Sequence, residues 1–368
     1  MSTTRRRATS PKIDEERSQV VTTLTQELSA GLDSPKPGRL LTIAASLLDI
    51  SSHPDAGPAK TAVIVRGLAG WDRPETSAGA LAMATLAGDV ALRRWVRRDL
   101  ADRGHTVPRW LADLHLAVPA DRAIEVQGPF REVDAIVLGV SIPSGHALTL
   151  AVQVDNELGA RAIDSSLFEV PVEEVVPQLR AGEDPEPRRR DISAADARAR
   201  VTAATSDVHL DAMSATDARW GAQGNLVRWM LSRFPDGGDA TVPGRQDDID
   251  LDELGLQFLA SPWGRPWTHP SLHVLVEEVL GSGLGNGLGD PLVWSPRHVG
   301  RLLDPKLSGI DLEAWDRDRI PELLRDLIRH GHLERGLRPE LTDASLKAVD
   351  RYAPAFLAAV RRWDETTA

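Results

Sequence analysis

Two neighbouring stretches, Ala135-Ile136-Val137-Leu138-Gly139-Val140 and Leu148-Thr149-Leu150-Ala151-Val152-Gln153-Val154-Asp155, decide the fold class. In the second, Leu148, Leu150, Val152 and Val154 alternate with Thr149, Ala151, Gln153 and Asp155, the period of two that a strand requires. The first is apolar at consecutive positions, so both of its faces need cover. Pro143-Ser144-Gly145 separates the pair, and Asn156-Glu157-Leu158-Gly159 separates the second from Ala160 to Phe168. Each gap suits a hairpin. With Ile124 and Val126 ahead of them, the segments predict a four-stranded antiparallel meander.

Outward from the meander the pattern is helical. Val20, Val21, Leu24 and Leu28 recur at helical spacing before Gly31, and a second helix is expected over Arg39 to Ile50, after the Pro35-Lys36-Pro37-Gly38 turn. Thr61 to Leu68 suits a helix or a strand. Glu75 to Arg103 reads as one helical stretch ended by Gly104, with Leu92, Trp95, Val96 and Leu100 on one face. Past Phe168, the run Glu183-Asp184-Pro185-Glu186-Pro187-Arg188-Arg189-Arg190-Asp191 has the prolines and mixed charge of a linker. Ser193, three residues before Asp196, is placed to cap a helix reaching about Ser206. Further helices are expected over Asp217 to Phe234 and from about Leu251, Ser271, Ser295, Ile320 and Asp343. The reading is an α+β protein, mostly helical around a central meander, divided as follows: a basic tail over 1–12, a first domain over 13–182, a linker over 183–192 and a helical C-terminal domain over 193–368.

The 368 residues are 42% hydrophobic and 26% charged, enough apolar content for a folded core. No cysteine is present, which excludes disulfides, thiolate metal sites and thiol nucleophiles. Lys and Arg number 43 against 54 Asp and Glu, and the net charge of −11 disfavours general binding to nucleic acid or anionic membranes. No run of 18 apolar residues suggests a membrane span, and the arginines of Met1 to Arg7 precede no apolar stretch of a secretory signal. A cytoplasmic location is the expectation.

The best basic patch is Arg93, Arg94, Arg97 and Arg98, on the helix face away from Leu92, Val96 and Leu100. It can hold nucleic acid or another anion unless Asp89, Asp99 and Asp102 pair with it. Ten tryptophans stand against five phenylalanines and one tyrosine. Trp263, Trp267 and Trp294 fall in Pro/Gly-containing segments, where tryptophan either anchors a partner or plugs a core. If exposed, they are the candidate partner-binding surface.

The histidine motifs are incomplete. His269 and His273 have i, i+4 spacing, but Pro270 follows the first and no Glu completes a zincin pattern. His330 and His332 bracket Gly331 at a helix end. His209 lies beside Asp207 and Asp211. Ser144 and His146, two apart in a hairpin, are not expected to face each other. Asp155, Asn156, Glu157 and Asp164 are explained by turn chemistry as well as by cation binding. Gly281 to Asp290 is glycine-rich but follows a helix and lacks the phosphate-loop and dinucleotide patterns, so a flexible hinge is expected. No cofactor and no metal site is assigned.

Trp294-Ser295-Pro296 with Val299, Leu302 and Leu303, then Arg335-Gly336-Leu337-Arg338-Pro339-Glu340-Leu341-Thr342 and Ala348-Val349-Asp350, resembles uncharacterised proteins of high-GC actinobacteria. Some of these are grouped with a plasmid open-reading-frame-three family. The resemblance covers mainly the last ~80 residues. It implies a helical C-terminal module and transfers no catalytic residue. The expected function is a non-enzymatic interaction or regulatory protein with an unidentified protein partner. The alternatives are a metal-dependent hydrolase using His/Asp/Glu ligands, around His209 or His269, and a nucleic-acid-binding protein using the arginine-rich helix.

Overall fold

The computed structural model describes residues 11–52, 59–157, 159–179, 187–206, 215–245, 248–304 and 317–367. The fold is α+β. Six helices come first: α1 (Pro11–Leu32), α2 (Gly38–Ser52), α3 (Ala59–Ala69), α4 (Pro74–Leu86), α5 (Val90–Asp102) and α6 (Arg109–Asp113). The sheet strands are β1 (Val118–Pro119), β2 (Ala123–Gln127), β3 (Val133–Ser141), β4 (Ala147–Asp155) and β5 (Arg161–Phe168), with β6 (Arg188–Ile192) following the short helix α7 (Val172–Val175). Then come α8 (Ala194–Ser206), α9 (Ala215–Leu231), α10 (Leu251–Ala260), α11 (His273–Ser282), α12 (Pro296–Leu302), α13 (Ile320–Glu334) and α14 (Pro339–Thr367).

Thr61 to Leu68 lies within α3, so the helical option holds there. The long stretch after Glu75 is two helices, because Gly88 adopts φ +69° and Asp89 restarts the chain by accepting the Leu92 N–H at 2.9 Å. α4 is the buried centre of the helical layer, with every residue from Thr76 to Leu86 out of solvent.

The sheet runs β5-β4-β3-β2-β6, all antiparallel, with β1 pairing β3. It is therefore larger than four strands, and the added strand β6 occupies the second half of the expected linker. Arg188 to Ile192 pair with Gln127 to Ala123, so this segment closes the sheet edge. β3 is covered on both faces, as its unbroken apolar run requires. Ile136, Leu138 and Val140 face the large core made with the N-terminal helices, while Ala135 and Val137 share a smaller core with Val172 and Val175 of α7 and with Val176 just after it. Gly139 permits that approach, since a Cβ there would lie 2.7 Å from Val172 Cγ2.

The two cores do not divide at 183–192. Ala197, Val201 and Ala204 of α8, and Leu226, Val227, Trp229, Met230 and Leu231 of α9, belong to the core of the N-terminal helices and the sheet. A second core, from Phe258 to Val360, is built by α10 to α14. Ser193 caps α8 as expected, accepting the Asp196 N–H at 3.0 Å.

Candidate functional site

The exposed face of α5 carries a cluster of arginines. Leu92, Val96 and Leu100, at i, i+4, i+8, are buried against the neighbouring helices. This rotation leaves Arg94, Arg97 and Arg98 exposed and Arg93 half-buried. Of the nearby acids, Asp89 caps α5 and Asp99 pairs with Arg103 at 3.0 Å. Among the described residues, no carboxylate forms an ion pair with Arg93, Arg94, Arg97 or Arg98.

Structure adds a fifth arginine that the sequence pattern could not supply. Arg233 follows α9 and donates to the His115 carbonyl at 3.3 Å, with its guanidinium 5.7 Å from the centre of the buried Trp229 ring. Burial lowers the pKa of Arg93, and repulsion from Arg233, Arg97 and Arg94 lowers it further. Burial also lowers His115, seconded by repulsion from Arg93, while its Nδ1–H donates to the Ala112 carbonyl at 3.0 Å. These cations gather on a chain whose net charge is −11.

Elsewhere, buried charges are paired. Glu125, wholly buried on β2, meets Arg200 at 2.7 Å, Arg190 at 2.9 Å and Arg131 at 3.2 Å. Burial raises its pKa, but Arg200 and Arg131 outweigh that and leave it below the ordinary carboxylate value. Arg131 also grips Asp134 at 2.7 Å, and Asn156 donates to the same carboxylate at 2.7 Å.

A second cluster joins the sheet to the C-terminal helices. Ser295 caps α12 by accepting the His298 N–H, and its hydroxyl donates to Glu132. Glu132 also meets the Glu157 carboxyl, and its pKa is raised, chiefly by burial and then by Glu157, against the Ser295 bond. Arg301 binds Glu157, and Arg297 lies 3.6 Å from Glu157 and 3.8 Å from Asp155. His298 donates from Nε2 to the Ser282 carbonyl and accepts from Arg301 at Nδ1; burial and Arg301 hold its pKa at about 4. These turn acids thus receive arginines from α12, and no group of three or more His, Asp or Glu able to hold a metal occurs among the described residues.

The tryptophan surface is corrected. Trp267 and Trp294 are fully buried and Trp263 partly so, all within the C-terminal core. Trp267 Nε1 donates to Asp326 at 3.0 Å, and Arg319 stacks 4.6 Å from its ring. The glycine-rich Gly281 to Asp290 is a packed connector instead of a hinge. Gly287, at φ +36°, lies so close to the β2–β3 turn that a Cβ would sit 2.5 Å from the Phe130 carbonyl.

His269 bonds Ser271 at 2.8 Å and His273 Nε2 donates to the Thr268 carbonyl at 3.2 Å, so both are engaged within their own loop. His330 is buried beside Phe258 and Trp263, and His332 lies between Trp294 and Thr342. His209 is outside the described residues. Ser144 and His146 do face each other, contrary to expectation: Ser144 Oγ–H donates to Nδ1 at 3.1 Å, and Nε2–H donates to the Pro35 carbonyl at 3.1 Å. The pair ties the hairpin to the α1–α2 turn. A similar contact missed in the sequence joins Ser77 Oγ to His105 at 3.1 Å, with Asp72 at 3.8 Å, but Ser77 is wholly buried and presents no hydroxyl to a substrate.

No family model, curated protein or solved structure matches the chain. No helix among the described residues is long and apolar enough to cross a membrane.

Proposed function

We propose that this protein is a non-catalytic interaction protein that docks an acidic segment of a protein partner on the Arg94, Arg97 and Arg98 face of α5. One observation carries the reading: these guanidiniums lack a carboxylate among the described residues, whereas Arg103, one turn on from Asp99, is paired. Charge left unbalanced on a rigid, buried-backed helix is available to an incoming anion without a competing internal partner. A compact acidic segment is favoured over a long polyanion. At physiological ionic strength charges beyond about 8 Å are screened, so a short segment senses the patch, while an extended one also lies over the acidic remainder.

The test is fluorescence anisotropy with a labelled oligo-glutamate peptide against an oligonucleotide duplex of equal charge. The wild type is expected to bind the peptide more weakly as salt rises. The triple variant Arg94→Gln, Arg97→Gln, Arg98→Gln should lose about tenfold in affinity, as three exposed charge contacts of about 0.5 kcal/mol each would give, with unchanged thermal stability. Equal binding by wild type and variant, or preference for the duplex, refutes the assignment.

A further inference from the structure

The sheet has two outermost strands, and they differ. At β5 the pairing with β4 skips Ile163, since Gln153 faces Asp164 and Val154 faces Ala162. Such a bulge bends the strand and spoils its outer ladder. On the opposite side β6 covers β2 in an unbroken register, from Arg188 opposite Gln127 to Ile192 opposite Ala123, and so becomes the edge itself. Among the described residues, no backbone group outside β2 bonds the β6 backbone. Alternate residues of an outermost strand point N–H and C=O away from the sheet, so this ladder is half made.

The side chains select what can complete it. Ile192 packs against the large core and Arg190 reaches Glu125 at 2.9 Å, so these two, with Arg188, lie on the α8 side of the sheet. Arg189 and Asp191 lie on the other side, and Asp191 is bound by Arg122 at 2.7 Å. Arg188 and Arg189 are exposed, one toward each face, and form no ion pair among the described residues. Pairing with a second copy of β6 would gather six arginines against two aspartates. Charge of one sign opposes that pairing and admits a strand of the other sign.

We propose that β6 is the docking edge for an extended acidic segment of a protein partner, which joins the sheet as a further strand. Backbone bonds hold the segment, and two consecutive carboxylates, one above the sheet and one below, meet Arg188 and Arg189. The edge uses other residues than the α5 face and stands independently of it.

The experiment is hydrogen exchange, resolved residue by residue, with affinity read by anisotropy on the full chain. The probe is a labelled peptide, Thr-Val-Thr-Glu-Glu-Thr-Val-Thr, set against the same peptide N-methylated at both glutamates. The two carry equal charge, and methylation at consecutive residues blocks backbone pairing along either edge of the peptide. The parent is expected to slow exchange of the outward amides of Arg188 to Ile192 and to bind at least about tenfold tighter than its analogue. Arg188→Gln with Arg189→Gln should weaken it about fivefold, as two exposed cross-strand charge pairs would give. Protection of β6 should persist in the Arg94→Gln, Arg97→Gln, Arg98→Gln variant. Equal binding of the two peptides, no loss on replacing Arg188 and Arg189, or protection that vanishes with the α5 arginines overturns strand addition. Outward amides already protected in the free protein overturn it too: protection that grows with protein concentration gives the edge to a second copy, and protection independent of concentration shows it covered within the chain.

Discussion

Replacing Glu125 with glutamine would leave Arg200 buried without its carboxylate. The Arg200 side chain is 3% exposed and 2.7 Å from Glu125. At an effective dielectric near 20, a unit charge pair at that distance interacts by about 6 kcal/mol. Glutamine escapes the desolvation cost of the carboxylate, which offsets part of this, and breaking a buried pair in this way typically costs about 3–5 kcal/mol. Arg131 is buffered because Asp134 still holds it at 2.7 Å, so the loss concentrates on Arg200 and Arg190. Urea denaturation read by circular dichroism is the assay, and with slopes of about 1–3 kcal/mol/M the midpoint should fall by at least about 1 M. The folded pKa of Glu125 is depressed, so its contribution is present above the unfolded value of about 4.3 and is lost as pH falls through the folded one. The gap between wild type and Glu125→Gln should therefore close in acid. A midpoint shift below about 0.3 M at pH 7 would refute the claim that these charges depend on one another. Glu125→Leu combined with Arg200→Leu should recover the part of the loss that falls on Arg200, since the buried charge is then removed with its partner, while the part-exposed Arg190 still loses its carboxylate.

Two further outcomes concern the joint between the sheet and the C-terminal helices. The raised pKa of Glu132 means that its contribution is complete below about 4.3 and declines as pH rises through the folded value, so Glu132→Gln should raise the urea midpoint at pH 8 and leave it unchanged near pH 4. A lower midpoint at pH 8 would show that the ionised pair is favourable. His298 and His332 are both held at about 4, chiefly by burial, so their contribution is present above about 6.5 and lost as pH drops toward 4. Each should cost about 2 kcal/mol on going from pH 7 to pH 5, and a His332→Gln variant should show roughly half the acid sensitivity in thermal melts; identical acid profiles would count against it.

The parts legible in the sequence were those with local causes. Period-two alternation in Leu148 to Val154 marks β4 because Leu148, Leu150, Val152 and Val154 share the face turned to the large core and hairpins set the register. β6 carries no such signal. Arg188-Arg189-Arg190-Asp191 has no apolar alternation, and it becomes a strand through distant partners: the β2 backbone, Glu125 for Arg190 and Arg122 for Asp191. The α5 arginines were readable from helical spacing alone, but Arg233 joins them only because α9 packs back on the N-terminal helices. For the tryptophans, composition favoured the core and left a partner surface open only if they were exposed. α13 settled Trp267, whose ring nitrogen reaches Asp326, and His332 with Ser345 enclosed the Trp294 backbone.

The return of α9 to α2 also bears on synthesis at the ribosome. Asn225 donates to the Ala45 carbonyl at 3.0 Å across 180 positions of sequence. At about 5–20 residues per second, α2 waits on the order of 10–40 s after its own translation before that neighbour exists. During that interval the growing chain exposes the apolar side of α2 and the unpaired edge of β2. Nascent-chain holdases, and the rate at which the ribosome traverses the codons between them, therefore have a defined window in which to act on this protein.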